Sequence, residues 1–198
     1  LAICNTQGAS IPRESDAVLY THAGPEVAVA STKAFVAQIT AAYLLGLYLA
    51  QVKGAMFRDE IHQVLDSLKD MPRKIQWVLD TQPKTIQAAA ERMVNANSFL
   101  FLGRHVGYPV ALEGALKLKE IAYTFTEGFA AGELKHGPIA LVDEGEPVVF
   151  IVPPQRGRNV LHAKVISGIE EVKARGAYII AVAEQGDPDV ERYADVVF

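Results

Sequence analysis

The second half of the chain alternates short, uninterrupted apolar segments with longer segments of helical spacing. The apolar segments are too short for helices and are bounded by polar residues or glycine, which predicts strands at 98–102, 148–152, 178–183 and 195–198. Apolar strands that alternate with helices form parallel sheets with both faces covered. We therefore predict an α/β fold in which helices at about 85–96, 109–123 and 160–175 flank a parallel sheet.

The first half shows a weaker version of the same order, with predicted strands at 1–5 and 17–21. Residues 34–52 carry no charge and approach the length of a membrane span. Polar residues within them, such as Gln38 and Thr40, favour instead a helix buried on all sides, in a core or at a dimer interface. Two further helices are predicted at 58–69 and 72–79, with Pro72 at a helix start.

Residues 80–83 resemble a boundary, so we predict two three-layer units with parallel sheets, at 1–80 and 81–198. Both ends of the chain lie in apolar segments, and we expect a piece of a longer protein, with the first unit incomplete at its N-terminal side and the second at its C-terminal end. Ligands of such sheets bind beyond the carboxyl ends of the strands, which predicts a site near residues 103–105.

Composition narrows the classes of function. The 198 residues include 19 basic and 23 acidic side chains, and this net charge of −4 does not favour nucleic-acid binding. Cys4 is the single cysteine, which excludes an intramolecular disulfide and predicts a reducing, cytoplasmic location. The five histidines lack metal-ligand spacing, and we expect no metal site.

Three segments contain residues capable of chemistry. In 111–120, Glu113, Lys117 and Glu120 share one helical stripe, which is either an ordinary solvated face or a carboxylate and ammonium pair able to move a proton. In 130–138, His136 lies in a loop that contains glycines. It is either an ordinary solvent-exposed histidine or an acid–base group. In 26–33, Ser31 is a candidate N-cap of the following helix. The start of that helix either binds an anionic ligand or is an ordinary capped N-terminus.

These three segments, in this order, resemble the isomerase half of the glutamine–fructose-6-phosphate aminotransferases, within the wider sugar-isomerase (SIS) fold family. The resemblance implies two similar SIS units and the conversion of fructose 6-phosphate, with ammonia from glutamine, to glucosamine 6-phosphate, a precursor of UDP-N-acetylglucosamine. It implies a glutaminase domain in the same parent chain and a reaction without metal or organic cofactor.

The resemblance also implies a role for individual residues. Glu120 matches the base that moves a proton between C1 and C2 of the sugar, and Lys117 matches a lysine that assists at the sugar oxygens. His136 matches the histidine that opens the sugar ring and that a neighbouring subunit donates, which implies a homodimer. Val29 and Ser31 match positions that contact the bound sugar phosphate.

Two segments of the family pattern are absent from the sequence: a phosphate loop of the form SxSGxT, expected before Leu1, and a Schiff-base lysine, expected after Phe198. We therefore expect the activity of the parent enzyme rather than of this chain alone. Two alternatives remain open. One is an SIS-type deglycase or isomerase without a glutaminase, and the other is an SIS binding module that senses a sugar phosphate.

Overall fold

The structure is a computed structural model that describes residues 1–156 and 160–198. The chain divides into two compact units, Leu1–Asp80 and Thr81–Phe198. The elements of the first are β1 (Ala2–Cys4), α1 (Ser10–Arg13), β2 (Val18–Tyr20), α2 (Lys33–Val52) and α3 (Arg58–Thr81), which ends at the boundary. Strands β1 and β2 pair in parallel, with Ala2 opposite Val18 and Cys4 opposite Tyr20.

Helix α2 is much more exposed than its uncharged sequence predicts. Only Ala41 and Leu47 are buried, and Tyr48 is 62% exposed. The prediction of burial on all sides in a core is therefore wrong for the chain by itself, because too few neighbouring elements cover the helix. In the described part of the chain, α2 is the one helix whose length and composition alone would suffice to cross a membrane.

Helix α3 runs without interruption across Pro72, so the prediction of two helices is wrong. A proline inside a helix removes one backbone hydrogen bond. Side-chain pairs join the two sides of this position, because the Asp70 carboxylate lies 2.7 Å from Nε of Arg73 and 3.8 Å from Nζ of Lys74. The amphipathic pattern therefore continues through the proline and the helix with it.

The second unit contains one five-stranded sheet. Its elements are α4 (Pro83–Arg92), β3 (Ser98–Gly103), α5 (Gly107–Ala122), β4 (Phe125–Ala130), two 3-10 turns (Leu134–His136 and Pro138–Leu141), β5 (Pro147–Ile151), α6 (Val160–Lys173), β6 (Tyr178–Val182), α7 (Pro188–Glu191) and β7 (Val196–Val197). The order is β4-β3-β5-β6-β7 and every pairing is parallel, which confirms the predicted α/β class with helix-flanked parallel sheets. The core of this unit includes Leu102, Phe150, Ile169 and Ile179, all fully buried.

Among the strands that the structure describes, β4 is the one that the sequence analysis did not predict. Its sequence, FTEGFA, places threonine, glutamate and glycine among the apolar residues. It lies at the edge of the sheet beside β3, where one side of the strand needs no partner. Thr126 is fully buried, and its hydroxyl donates a 2.9 Å hydrogen bond to the carbonyl of Ala115, which ties the strand to α5.

Candidate functional site

The turn between β3 and α5 brings the start of the helix directly onto the end of the strand. A Cβ atom on Gly103 would lie 2.0 Å from the carbonyl oxygen of Gly107, a distance that only a shift of the backbone could relieve. His105, inside the turn, adopts a positive φ of 54°. The tight turn therefore fixes where α5 begins, at Gly107 rather than near the predicted residue 109.

Further along, α5 packs closely against the sheet through small residues. Ala111 and Ala115 are buried beneath it. A Cβ on Gly114 would lie 2.9 Å from Cε1 of Phe101 in β3, and one on Gly128 of β4 would lie 3.1 Å from Cα of Leu112. At Gly114 and Gly128 the neighbouring residue lies so close to the glycine backbone that the side chain of any other amino acid would clash with it. The position of α5, and of every side chain it carries, is therefore closely defined.

Lys117 lies between two carboxylates on α5. Its Nζ is 2.7 Å from Oε2 of Glu120 and 3.3 Å from Oε1 of Glu113. The three side chains are half-buried, with 22%, 26% and 23% of the side-chain surface exposed for Lys117, Glu120 and Glu113. The hydrogen bond to Glu120 raises the pKa of Lys117, and the bond to Glu113 acts in the same direction. The structure thus brings together the stripe that the spacing predicts.

In this triad, formed by Glu113, Lys117 and Glu120, a carboxylate that can accept a proton lies next to the positive charge of the lysine. A carboxylate can remove a proton from carbon next to a carbonyl or imine, and a nearby ammonium stabilises the negative charge that develops. The second carboxylate balances the lysine when Glu120 is protonated. The arrangement suits an enolisation or isomerisation better than a nucleophilic displacement.

His136 lies outside the triad. It ends the first 3-10 turn after β4 and is exposed, and its backbone N–H donates to the carbonyl of Glu133 at 2.9 Å. No hydrogen bond or ion pair joins its imidazole to Lys117 or Glu120 within residues 1–156 and 160–198. The side chain is therefore free to meet a ligand or another chain.

The loop before α2 contains both Val29 and Ser31 in the first unit. Val29 is 89% exposed and Ser31 is half-buried. The predicted N-cap at Ser31 is wrong, because the cap position is Thr32 and its side chain forms no capping bond. Glu26 satisfies the helix start instead. Its carboxylate accepts from the backbone N–H of Ala34 at 3.0 Å and from that of Thr32 at 3.4 Å.

A carboxylate at a helix N-terminus occupies the place where an anion would bind. The amide of Ala34, first among several hydrogen bonds, lowers the pKa of Glu26 below its ordinary value. The helix start is thus capped from within the chain. The signal for this cap was present in the sequence, as an acidic residue shortly before the helix, but it lies eight residues from the amide it binds.

A second unpredicted feature is a buried pair between α6 and α7. Nε2 of His162 lies 2.7 Å from Oδ2 of Asp187, and both side chains are almost fully buried. The other oxygen of Asp187 accepts from the backbone N–H groups of Asp189 and Val190, which makes Asp187 the N-cap of α7. Ligand atoms of His162, Asp187 and Asp189 lie within 4.8 Å of one another. Both oxygens of Asp187 are already engaged, which fits a structural cap.

Comparison with known proteins identifies the class. The SIS domain family matches residues 1–48 and 92–198, and the chain belongs to that family. The chain is also similar over nearly its whole length to proteins named glutamine–fructose-6-phosphate aminotransferase (isomerizing). That of Corynebacterium diphtheriae is 67% identical over 98% of this chain, and that of Streptomyces coelicolor is 60% identical over 98%.

Solved structures agree with this assignment. The C-terminal domain of glucosamine-fructose-6-phosphate aminotransferase from Francisella tularensis superposes with a TM-score of 0.90 at 38% identity, and the match covers 99% of this chain and 54% of that one. The chain spans about a third of the length of the curated relatives, 31% for the protein of C. diphtheriae and 32% for that of S. coelicolor.

Proposed function

We propose that this chain is the isomerase part of an enzyme that converts fructose 6-phosphate and ammonia from glutamine to glucosamine 6-phosphate. The observation that carries the proposal is the half-buried pair of Lys117 and Glu120, in a chain whose similarity to aminotransferases of this name extends over nearly its whole length. The relatives' name supplies the reaction, and the pair supplies chemistry that the reaction requires.

Glu120 is the proposed base. When the sugar carries a protonated imine at C2, removal of a proton from C1 gives an enamine, and return of that proton at C2, with loss of the C1 hydroxyl proton to solvent, gives the 2-amino aldose. One carboxylate can perform both transfers, since it ends the cycle in the state in which it began. Lys117 stabilises negative charge on the sugar oxygens during these steps.

His136 is proposed to open the sugar ring by moving a proton between the ring oxygen and the anomeric hydroxyl. Its exposure, and the absence of a hydrogen bond or ion pair to α5 among the described residues, support donation to the site of a neighbouring subunit, and hence a homodimer. The apolar surface of α2 supports an oligomer as well, because contiguous exposed apolar surface marks an interaction site.

The remaining assignments follow the same proposal. Val29 and Ser31 contact the sugar phosphate, and residues 1–80 and 81–198 are the corresponding portions of two SIS units. A glutaminase domain in the same parent chain supplies ammonia. The enzyme acts in the cytoplasm and uses no metal or organic cofactor.

The test is Glu120→Gln in the full-length parent enzyme, assayed for glucosamine 6-phosphate with glutamine and, separately, with free ammonia. We expect a loss of about a hundredfold or more with either nitrogen source, the usual contribution of an acid–base group. Glutamine hydrolysis should continue. Glu91→Gln, at an exposed position on α4, is the matched control and should leave turnover unchanged. Near-normal synthesis by Glu120→Gln would overturn the proposal.

A further inference from the structure

A cavity opens in the Thr81–Phe198 unit, between the segments that follow β3 and β4 and the side of α6. Its volume is about 220 Å³. The polar side chains in its lining are Arg104, Lys135, Lys164, Ser167 and Glu171, and the lining does not include Lys117, Glu120 or His136. The cavity thus lies at the carboxyl ends of two parallel strands, where sheets of this kind bind ligands.

Arg104 provides the decisive observation. Its Nε is buried and has no hydrogen-bond partner among the described residues. The guanidinium also forms no salt bridge within them and lies against the backbone of Gly132, where a Cβ would come within 3.4 Å of Nη1. Buried donors in folded proteins nearly always have an acceptor, because leaving one unsatisfied costs free energy. The geometry therefore indicates an acceptor that residues 1–156 and 160–198 do not provide.

The other charges around the cavity leave the arginine uncompensated. Glu171 is already engaged, because its Oε1 lies 2.8 Å from Nζ of Lys135 and accepts from the hydroxyl of Ser167 at 3.4 Å. Lys164 on α6 is exposed and forms no salt bridge in the described part of the chain. Two cations, Arg104 and Lys164, thus face the cavity without a carboxylate of their own.

We propose that this cavity binds a compact oxyanion, the phosphoryl group of free phosphate or of a small phosphate ester. The planar fork of an arginine matches the oxygens of a phosphoryl group, and a lysine adds charge without demanding one geometry. The volume falls below the roughly 300–1,000 Å³ of pockets for larger organic ligands, which favours a small anion. This site is additional to the proposed sugar site, since the two share no residue.

The test is a titration of the 198-residue chain with inorganic phosphate, and separately with methyl phosphate, followed by the backbone amide resonances. Sodium chloride at matched ionic strength is the control. We expect saturable shifts at Gly132, Ser167 and Gly168, which border the cavity. Binding of phosphate alone identifies the free ion as ligand, and binding of both probes identifies a phosphate ester as well. Absence of saturable shifts at these amides with both probes would overturn the proposal.

Phosphate binding by single-residue variants distinguishes a specific site from nonspecific electrostatic attraction. Arg104→Lys retains the charge but loses the fork, and we expect about tenfold weaker binding of phosphate. Lys164→Ala, at an exposed position that folding does not require, should weaken binding about fivefold. Lys84→Ala, an exposed lysine on α4 outside the cavity, should change nothing. Equal loss in Lys164→Ala and Lys84→Ala would overturn the site.

The outcome is independent of the proposed catalytic function. Glu120→Gln leaves every residue of the cavity in place and should bind phosphate at Gly132 and Ser167 as the unaltered chain does. Loss of sugar turnover with normal phosphate binding, or the converse, tells the two proposals apart.

Discussion

Nζ of Lys117 lies 2.7 Å from Oε2 of Glu120, three residues further along the same helix. This bond is the largest cause of the raised pKa of Lys117. A lysine whose pKa is raised by folding contributes stability that is fully present below its unfolded pKa of about 10.5 and is lost as the pH rises through the folded value. Lys117 therefore carries its positive charge throughout the neutral pH range.

Replacement of Lys117 by methionine should lower kcat of the full-length enzyme by about a hundredfold, because the developing negative charge loses its nearest cation. Lys117→Arg should retain more activity, since the charge persists. Lys119→Met is the matched control, because it removes the charge of an exposed lysine on the same helix. Steady-state kinetics distinguish the cases. A variant that loses activity only in proportion to its loss of folded protein would contradict a catalytic role.

The Glu26 cap predicts a pH-dependent stability of the first unit. A carboxylate whose pKa is lowered by folding stabilises the protein above its unfolded pKa of about 4.5, and this contribution disappears as the pH falls through the folded value. Glu26→Gln should therefore lower the Tm at pH 7 and have little effect at pH 3. Glu14→Gln, exposed and outside the cap, serves as the comparison. A Tm difference that is the same at both pH values would refute the cap.

Glycine at position 103 should be irreplaceable for steric reasons. Gly103→Ala forces a methyl group against the carbonyl of Gly107 and should destabilise the fold by about 3 kcal/mol or more. Gly168→Ala meets only Cε1 of Phe150, at 3.7 Å, and should stabilise α6 by about 0.5–1 kcal/mol. Chemical denaturation of both variants checks the contrast. Equal effects would show that the close approach does not constrain the turn.

The buried pair predicts a contrast between Asp187 and Asp189, which lie two positions apart. Asp187→Ala removes the 2.7 Å contact with Nε2 of His162 and the cap of α7, and should cost about 3 kcal/mol because a buried pair and two hydrogen bonds to backbone amides are lost together. Asp189→Ala removes an exposed carboxylate and should cost under about 0.5 kcal/mol. Urea denaturation measures both. A small loss in Asp187→Ala would show that water replaces the pair.

Sequence reasoning located most of the second unit because its strands are continuous apolar segments and its helices are periodic. It did not find β4, since an edge strand tolerates the polar residues that make FTEGFA resemble a loop. It divided α3 at Pro72, because proline is usually read as a boundary and the side-chain pairs across it depend on three-dimensional geometry. Tertiary context, not local propensity, decides both cases.

The site was partly predictable for the same reason. Steps of four and three along a helix predict that Lys117 lies beside both Glu113 and Glu120, as the structure has it. The cap by Glu26 and the pair of His162 with Asp187 join residues 8 and 25 positions apart, and no periodic pattern reports such contacts. The exposure of α2 was also unpredictable, because hydropathy describes a segment and not what covers it.

The close packing of α5 also limits motion. Phe101 occupies the space beside Gly114, and Leu112 occupies the space beside Gly128. The helix therefore cannot slide or rotate on the sheet without displacing backbone. Lys117 and Glu120 therefore move as part of the sheet, and only rotation about their own side-chain bonds remains on the nanosecond scale. The carboxylate of Glu120 can therefore reach first one carbon of a ligand and then its neighbour only through rotation of its own side chain or a shift of the ligand, and not through movement of the helix.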